Sequence, residues 1–192
     1  YIQRLLECGH GSVLEHVSFS FIITGVSRSL THELVRHRVG VAYSQESERY
    51  VNKSNTRFVI PPSIIGNNFA SKLWYESVTA ARFTYTTLCE QLESSFGLIP
   101  DRTLRLKKAR EAARSVLPEC TETRIFVTMN ARELRHFLTL RGSMHADAEI
   151  RRLAVAVFRV VSQEAPNLFQ GIEVSSSAKT SEECLVNRYP KV

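Results

Sequence analysis

The sequence has no CxxC pair, no long apolar run and no internal repeat. Its four cysteines, Cys8, Cys89, Cys120 and Cys184, are scattered. That spacing argues against a disulfide framework and for free thiols in a reducing compartment, so a cytoplasmic protein is expected. No segment approaches the roughly 20 consecutive apolar residues that a membrane helix needs. There is no domain linker and no signal-peptide pattern. Tyr1 already lies inside an apolar-periodic segment, so further N-terminal structure is expected to precede it.

What is present is a globular composition with a cationic bias. In 192 residues, 43% are hydrophobic, enough for one compact domain with a core. Lysine and arginine number 25 against 19 aspartates and glutamates, a net charge of +6. This favours anionic partners such as phosphates, nucleotides or nucleic acid, and says nothing about fold. The pattern predicts an α+β chain. Tyr1 to Cys8 reads as a helix stopped by Gly9, with Ser12 capping a short turn towards Glu15. Val17 to Ile23 alternates as a strand ended by Gly25. A helix carrying Leu30, Leu34 and Val35 is capped by Ser27 or Ser29 and runs into Arg36-His37-Arg38. Arg57 to Ile60 reads as a short strand before Pro61-Pro62. Helices follow over Phe69 to Phe96, with Leu73, Val78, Phe83 and Leu88 buried, and over Asp101 to Ser115. Thr123 to Met129 is a strand, and Ala131 to Leu140 and Asp147 to Ala165 are helices. The domain is expected to span residues 1–172, with a loosely held tail over 173–192.

The densest chemistry lies between Arg36 and Tyr50, where arginines, serines, Gln45, Glu46 and Glu48 crowd together. Rigid planar donors in that number suit a phosphate or a planar anion. On a helix, Glu33 would reach Arg36 and His37. Arg36 and Arg38 would then stand about 200° apart and serve different ligands. A second set is Arg114, Arg124, Asn130, Arg132, His136, Arg141 and His145, with Arg132 and His136 on one helix face. Asn130 serves equally well as a helix cap. The types of His10, Glu15, His16, His145 and Glu149 could bind a divalent metal, although no local signature supports it. Gly9-His10-Gly11 does not complete a dinucleotide fingerprint, because no strand precedes it and the third glycine is absent.

The ordered motifs resemble the flavin-dependent thymidylate synthases. They are Gly9-His10, Ser12, Glu15-His16, Arg36-His37-Arg38, then Gln45-x-Ser47-x-Arg49-Tyr50. Ala113-Arg114-x-Val116-Leu117-Pro118, Thr123-Arg124, Asn130-Ala131-Arg132, Leu140-Arg141, His145-Ala146 and Glu149-Ile150 continue the likeness to about Phe169. The family signature is Arg-His-Arg, a spacer of about seven residues, then Ser. Here the spacer from Val39 to Glu46 is eight residues, with the extra one placed within Val39 to Ala42.

The resemblance implies an α+β homotetramer with helices on a mainly antiparallel sheet and active sites shared between subunits. It implies FAD as cofactor, dUMP as substrate, methylenetetrahydrofolate as one-carbon donor and NADPH as reductant, giving dTMP. No nucleic acid or membrane partner is expected. By position, the cofactor side comprises His10, Ser12, Glu15, Arg36, His37, Arg38, Gln45, Asn130, Arg132, His136, Leu140 and His145. The nucleotide side comprises Glu33, Arg36, Ser47, Glu48, Arg49, Arg114 and Arg141. Glu33 stands where a common form has Gln, and His136 where it has Asn. Glu33 would repel a phosphate and is expected to pair with an arginine instead.

Arg141 is the expected catalytic group, a guanidinium that stabilises the ionised uracil at N3 and O4. No placed cysteine offers the alternative of addition at C6. Ser47 is expected to orient the nucleotide as a hydrogen-bond donor. Two other readings stay open on the residues alone. A nucleic-acid-binding module would use the positive charge, although acidic residues interrupt it and few aromatics accompany it. A metal-dependent hydrolase would use His10, His16 and His145.

Overall fold

A computed structural model describes residues 1–176 and 181–191. The middle of the tail, residues 177–180, lies outside them. In order the elements are α1 (Ile2–Glu7), β1 (Ser18–Ser27), α2 (Arg28–Leu34), β2 (Val41–Gln45), α3 (Pro62–Ile65), α4 (Asn68–Ser95) and α5 (Arg102–Ala113). They continue as β3 (Glu122–Asn130), α6 (Ala131–Arg141), α7 (Ala148–Glu164), β4 (Ile172–Ser176) and β5 (Glu183–Asn187). Short 3₁₀ turns cover Ser12–His16, Arg114–Val116 and Pro166–Phe169. The fold is α+β. Its three-stranded sheet has the order β1-β3-β2, and β4 pairs with β5 in a two-stranded antiparallel sheet. Among the described residues, no helix is long and apolar enough to cross a membrane.

The chain forms two compact units. One holds Tyr1–Ile23, Leu30–Ser44 and everything from Phe126 on; the other holds Thr24–Ser29 and Gln45–Ile125. In the first unit, Leu6, Leu14 and Ala131 are buried, with Ile2, Phe19, Leu168 and Tyr189 packed against them. α6 buries Leu134, Phe137 and Leu138, and α7 buries Ile150, Ala154, Val155, Val157, Phe158 and Val161. These positions recur at three- and four-residue intervals, so each helix presents one apolar stripe. α1 stops at Gly9, whose φ of +73° suits the residue that ends a helix, and His10 N–H closes the turn on Leu5 O at 2.9 Å.

In the second unit, α4 packs on α5. Asn67 caps α4 through Ala70 N–H at 3.0 Å, and Asp101 caps α5 through Thr103 N–H at 2.8 Å. Tyr85 is fully buried, and its hydroxyl oxygen accepts from Lys53 N–H at 3.2 Å.

Several sequence expectations need correction. β1 runs on through Gly25 to Ser27, because glycine takes a φ of +72° there without steric cost. Ser12 lies inside its 3₁₀ turn and makes no capping bond; Gly11 holds the cap position. α2 ends at Leu34, so Arg36 and Arg38 are not helical and the opposed-angle argument does not apply. Val41–Gln45 is a strand inside what reads as a polar loop. Arg57 to Ile60 supplies only an isolated bridge, Phe58 to Thr121. The tail from Glu173 is largely a hairpin: Cys184 and Leu185 are buried, and Leu185 N–H bonds Gly142 O at 2.7 Å. On α4, Val78 is buried as expected, but Leu73 is 51% and Phe83 71% exposed.

Candidate active site

In the first unit, the residues after α2 turn sharply. Arg36 N–H bonds Glu33 O at 3.2 Å and His37 N–H bonds Leu34 O at 3.1 Å. Tyr43, from β2, donates its hydroxyl to Leu34 O at 2.7 Å and His37 O at 3.1 Å, which ties the turn to the strand. Burial, and secondarily the charge of Glu133, push the Tyr43 phenol well above its ordinary range, so it stays protonated and keeps donating. His37 is thereby carried inward, with only 5% of its surface exposed.

Both nitrogens of the His37 ring are engaged. Nδ1 lies 2.7 Å from Glu133 Oε1, and Arg141 Nε donates to Nε2 at 3.3 Å. An acceptor at Nε2 puts the ring proton on Nδ1, facing the carboxylate. His136 and Phe137 pack edge-on at 5.6 and 5.5 Å between ring centroids. Glu133 is itself placed by the helix start, since its N–H bonds Asn130 Oδ1 at 2.9 Å. Asn130 is therefore the cap of α6, as its position suggested. Gly40, at φ +67°, packs on the Asn130 side chain so closely that a Cβ would lie 2.2 Å from Nδ2.

Arg141 ends α6. Its Nη1 donates to Glu33 Oε2 at 2.7 Å and its Nη2 to Glu33 O at 3.4 Å. The expected arginine partner of Glu33 is thus Arg141, while Arg36 bonds His32 O at 3.4 Å. The Glu33 carboxyl is pushed above its ordinary range, first by burial and then by the charge of Asp147. Arg141 opposes that shift, and a hydrogen bond from protonated Glu33 to Asp147 and the charge of Glu149 add to it. Arg132 Nη1 bonds Glu15 Oε1 at 2.5 Å. Glu15, Asn130, Arg132 and His136 border one cavity of about 370 Å³ together with Val39 and Lys191. His10, Ser12, Arg38, Leu140 and His145 are exposed. α6 ends before Gly142, so His145 does not continue the face of Arg132 and His136.

The remaining site residues fall in the second unit. Gln45 donates to Thr123 Oγ1 at 3.4 Å. Ser47 Oγ lies 3.4 Å from Arg49 N and 3.5 Å from Arg49 Nε. Arg49 and Lys107 both stand over the Tyr50 ring, at 5.6 and 5.4 Å. Glu48 is 4% exposed and sits 3.5 Å from Arg28 Nε, yet its Oε1 has no hydrogen-bond partner among the described residues. Arg114 is half-buried at the start of its 3₁₀ turn. Glu46 bridges the buried ammonium of Lys53 and the Arg124 guanidinium, the latter at 2.8 Å.

Sequence reasoning missed Tyr43, Lys53, Glu133 and Asp147. For Glu133 there was a signal, since Asn130 followed three residues later by Glu is a capping pattern. Among the described residues, no three His, Cys, Asp or Glu side chains gather as a metal site, so His10, His16 and His145 form none.

A family model described as thymidylate synthase complementing protein matches residues 1–167. The chain is 48% identical over 182 residues to the flavin-dependent thymidylate synthase of Mycobacterium avium (strain 104), covering 95% of this chain and 72% of that protein. The enzyme of the same name from Mycobacterium tuberculosis (strain ATCC 25618 / H37Rv) matches with the same identity and coverage. That of Mycobacteroides abscessus is 47% identical over 182 residues, again 95% of this chain and 72% of that one.

Proposed function

The chain belongs to the thymidylate synthase complementing protein family and is a flavin-dependent thymidylate synthase, and from that premise we propose how its own residues carry the reaction. The reaction converts dUMP to dTMP. Methylenetetrahydrofolate is the one-carbon donor and NADPH the reductant, acting through FAD.

The observation that carries the assignment is the placement of Arg141. Its planar fork ends α6 and is aimed by Glu33 on one edge and by His37 on the other. A guanidinium fixed in advance stabilises negative charge as it develops on the uracil ring at N3 and O4, without reorganising at the moment of reaction. That makes C5 nucleophilic without a cysteine. His37 and Glu133 hold the guanidinium's orientation. In the second unit, Ser47 and Arg49 offer a hydroxyl and a guanidinium suited to a nucleotide. Glu48 Oε1, ion-paired with Arg28 Nε at 3.5 Å but without a hydrogen bond among the described residues, is a ready acceptor for a sugar hydroxyl. Arg36 and Arg114 complete the proposed nucleotide set.

For FAD, the cavity bordered by Glu15, Asn130, Arg132 and His136 has the right chemistry. Arg132 and Lys191 suit a pyrophosphate, and Asn130 Nδ2 and His136 suit a polar ring edge. His10, Ser12, Arg36, His37, Arg38, Gln45, Leu140 and His145 are assigned to the same cofactor by their motif positions. When bound, FAD supplies the hydride that reduces the transferred carbon. The test is the visible spectrum of purified protein, alone and with dUMP. A flavin spectrum that dUMP perturbs, with dTMP formed when methylenetetrahydrofolate and NADPH are added, is the expected result. A colourless protein that takes up no FAD on reconstitution overturns the reading.

The homotetramer with shared sites rests on α4. Phe69, Leu73 and Phe83 are exposed there and fall within about 80° of arc on one helix face. An apolar face of that kind marks an interface. The substitution Phe83→Lys is expected to give dimers or monomers by sedimentation, with dTMP formation lost alongside. A tetramer of undiminished stability would count against α4 as the contact.

A further inference from the structure

Gly40 lies in the turn between Arg38 and β2, where the spacer to Ser47 is one residue longer than the family signature. Its φ is +67°, a left-handed conformation that glycine adopts without steric cost. A β carbon built on it would lie 2.2 Å from Asn130 Nδ2, 2.7 Å from Cγ and 2.9 Å from Oδ1. These three nearest atoms belong to one side chain, so a larger residue at position 40 meets Asn130 first. The backbones are tied here too, since Asn130 N–H bonds Gly40 O at 2.8 Å. Asn130 has two duties at this point. Its Oδ1 accepts from Glu133 N–H at 2.9 Å and caps α6. That leaves the Nδ2 donor to serve the cavity that Asn130 borders with Val39, Arg132 and His136. The cap fixes how the carboxamide is turned. Swinging it away from position 40 breaks the bond to Glu133 N–H and withdraws Nδ2 in the same movement.

We infer that Gly40 is a positioning residue for FAD: because it carries no side chain, Asn130 can cap α6 and at the same time offer Nδ2 to the cofactor. The inference rests on the reading of this cavity as the FAD site. A β carbon at position 40 forces Asn130 to give up both duties together. The loss of the cap is a matter of stability, and the loss of Nδ2 is a matter of cofactor affinity. Two substitutions separate the backbone from the space. Alanine brings both the β carbon and the strain of a left-handed backbone. Asparagine brings the same β carbon but adopts that backbone more readily than most residues. Substitution of Asn130 by glycine removes the side chain that would be displaced, and glycine is nearly as good a cap.

The experiment titrates FAD into the deflavinated enzyme by flavin fluorescence and measures Tm alongside. The proteins are wild type, Gly40→Ala, Gly40→Asn, Asn130→Gly and the double variant Gly40→Ala/Asn130→Gly. Gly40→Ala and Gly40→Asn are both expected to raise the Kd for FAD about five- to tenfold, as the loss of one hydrogen bond does. Gly40→Asn should keep more of the Tm, because its backbone is less strained. Asn130→Gly should raise the Kd by a similar factor with little change in Tm. In that background Gly40→Ala should raise the Kd no further, because the side chain it displaces is gone. A merely structural Gly40 would lower Tm and leave the Kd of the folded protein unchanged. Gly40→Asn decides the matter if Gly40→Ala does not fold, and the double variant decides it if neither does. A Kd within about twofold of wild type in a folded variant at position 40 overturns the inference. So does a further rise when Gly40→Ala is added to Asn130→Gly. Wild-type enzyme that takes up no FAD would instead overturn the reading of the cavity.

Discussion

Replacing Arg141 with alanine is expected to lower kcat for dTMP formation by about 10²–10³-fold, the cost of removing one preorganised donor to developing negative charge. FAD content should be unchanged, because the cavity bordered by Glu15, Arg132 and His136 does not include Arg141. The fold should survive as well. Glu33, left without its partner, can take up a proton, and burial already favours its neutral form. The lysine variant separates charge from shape. An ammonium can still pair with Glu33 but cannot present a planar fork to two ring positions, so it should recover only a small part of the rate. Rapid-quench measurement of dTMP at saturating dUMP checks this. An alanine variant within about threefold of wild type in kcat would remove Arg141 from the chemistry, a loss far below that of a single donor.

The largest effect on stability is expected at Glu46. Its carboxylate holds the Lys53 ammonium, whose side chain is 6% exposed, and the Arg124 guanidinium. Lys53 Nζ has one further acceptor, Glu122 O at 3.2 Å. Glu46→Ala leaves that ammonium buried with a carbonyl alone, which costs about 3–5 kcal/mol. In a chain of this length that corresponds to a fall in Tm of roughly 10 °C. The double variant Glu46→Ala/Lys53→Met should regain most of the loss, since an apolar side chain of similar length suits the same space without a charge to compensate. Thermal unfolding of the four members of the cycle measures the coupling. If Glu46→Ala unfolds within about 1 kcal/mol of the parent, the ammonium finds another partner and the buried pair is not what stabilises this unit.

The sequence was most legible where a local rule decides the structure. Asn130 precedes a helix as its cap, Gly9 follows one as a stop, and α4 to α7 lie within one or two residues of their periodic segments. The arginine pairing of Glu33 was also legible, because a carboxylate at a nucleotide site demands a cation. Contacts distant in the chain were not. Nothing local distinguishes Arg141 from Arg36 as the partner of Glu33; they are 108 and three positions away, and the distant one wins. The same holds for Tyr43 and for the β4–β5 hairpin, whose short strands are defined by each other rather than by their own composition. Val41–Gln45 was obscured because it is only five residues long and Val41 and Tyr43 are the only large apolar residues on its inner face. Leu73 and Phe83 were placed in a core by apolar type alone, and a helix face of that type is equally an interface.

His37 is gripped from two places on a single rigid rod. Glu133 sits in the first turn of α6 and Arg141 in its last, and both reach the same imidazole. This has a consequence for how such a gene can vary in length. Adding or deleting one codon between Glu133 and Arg141 would turn one end of the rod by about 100° against the other and slide it by about 1.5 Å, so both grips could not survive. The turn between Val39 and Ala42 is not held at two ends of one rod, although Gly40 there packs on the Asn130 side chain and its carbonyl accepts from Asn130 N–H at 2.8 Å. A change of length should therefore be better tolerated beside Gly40 than within α6.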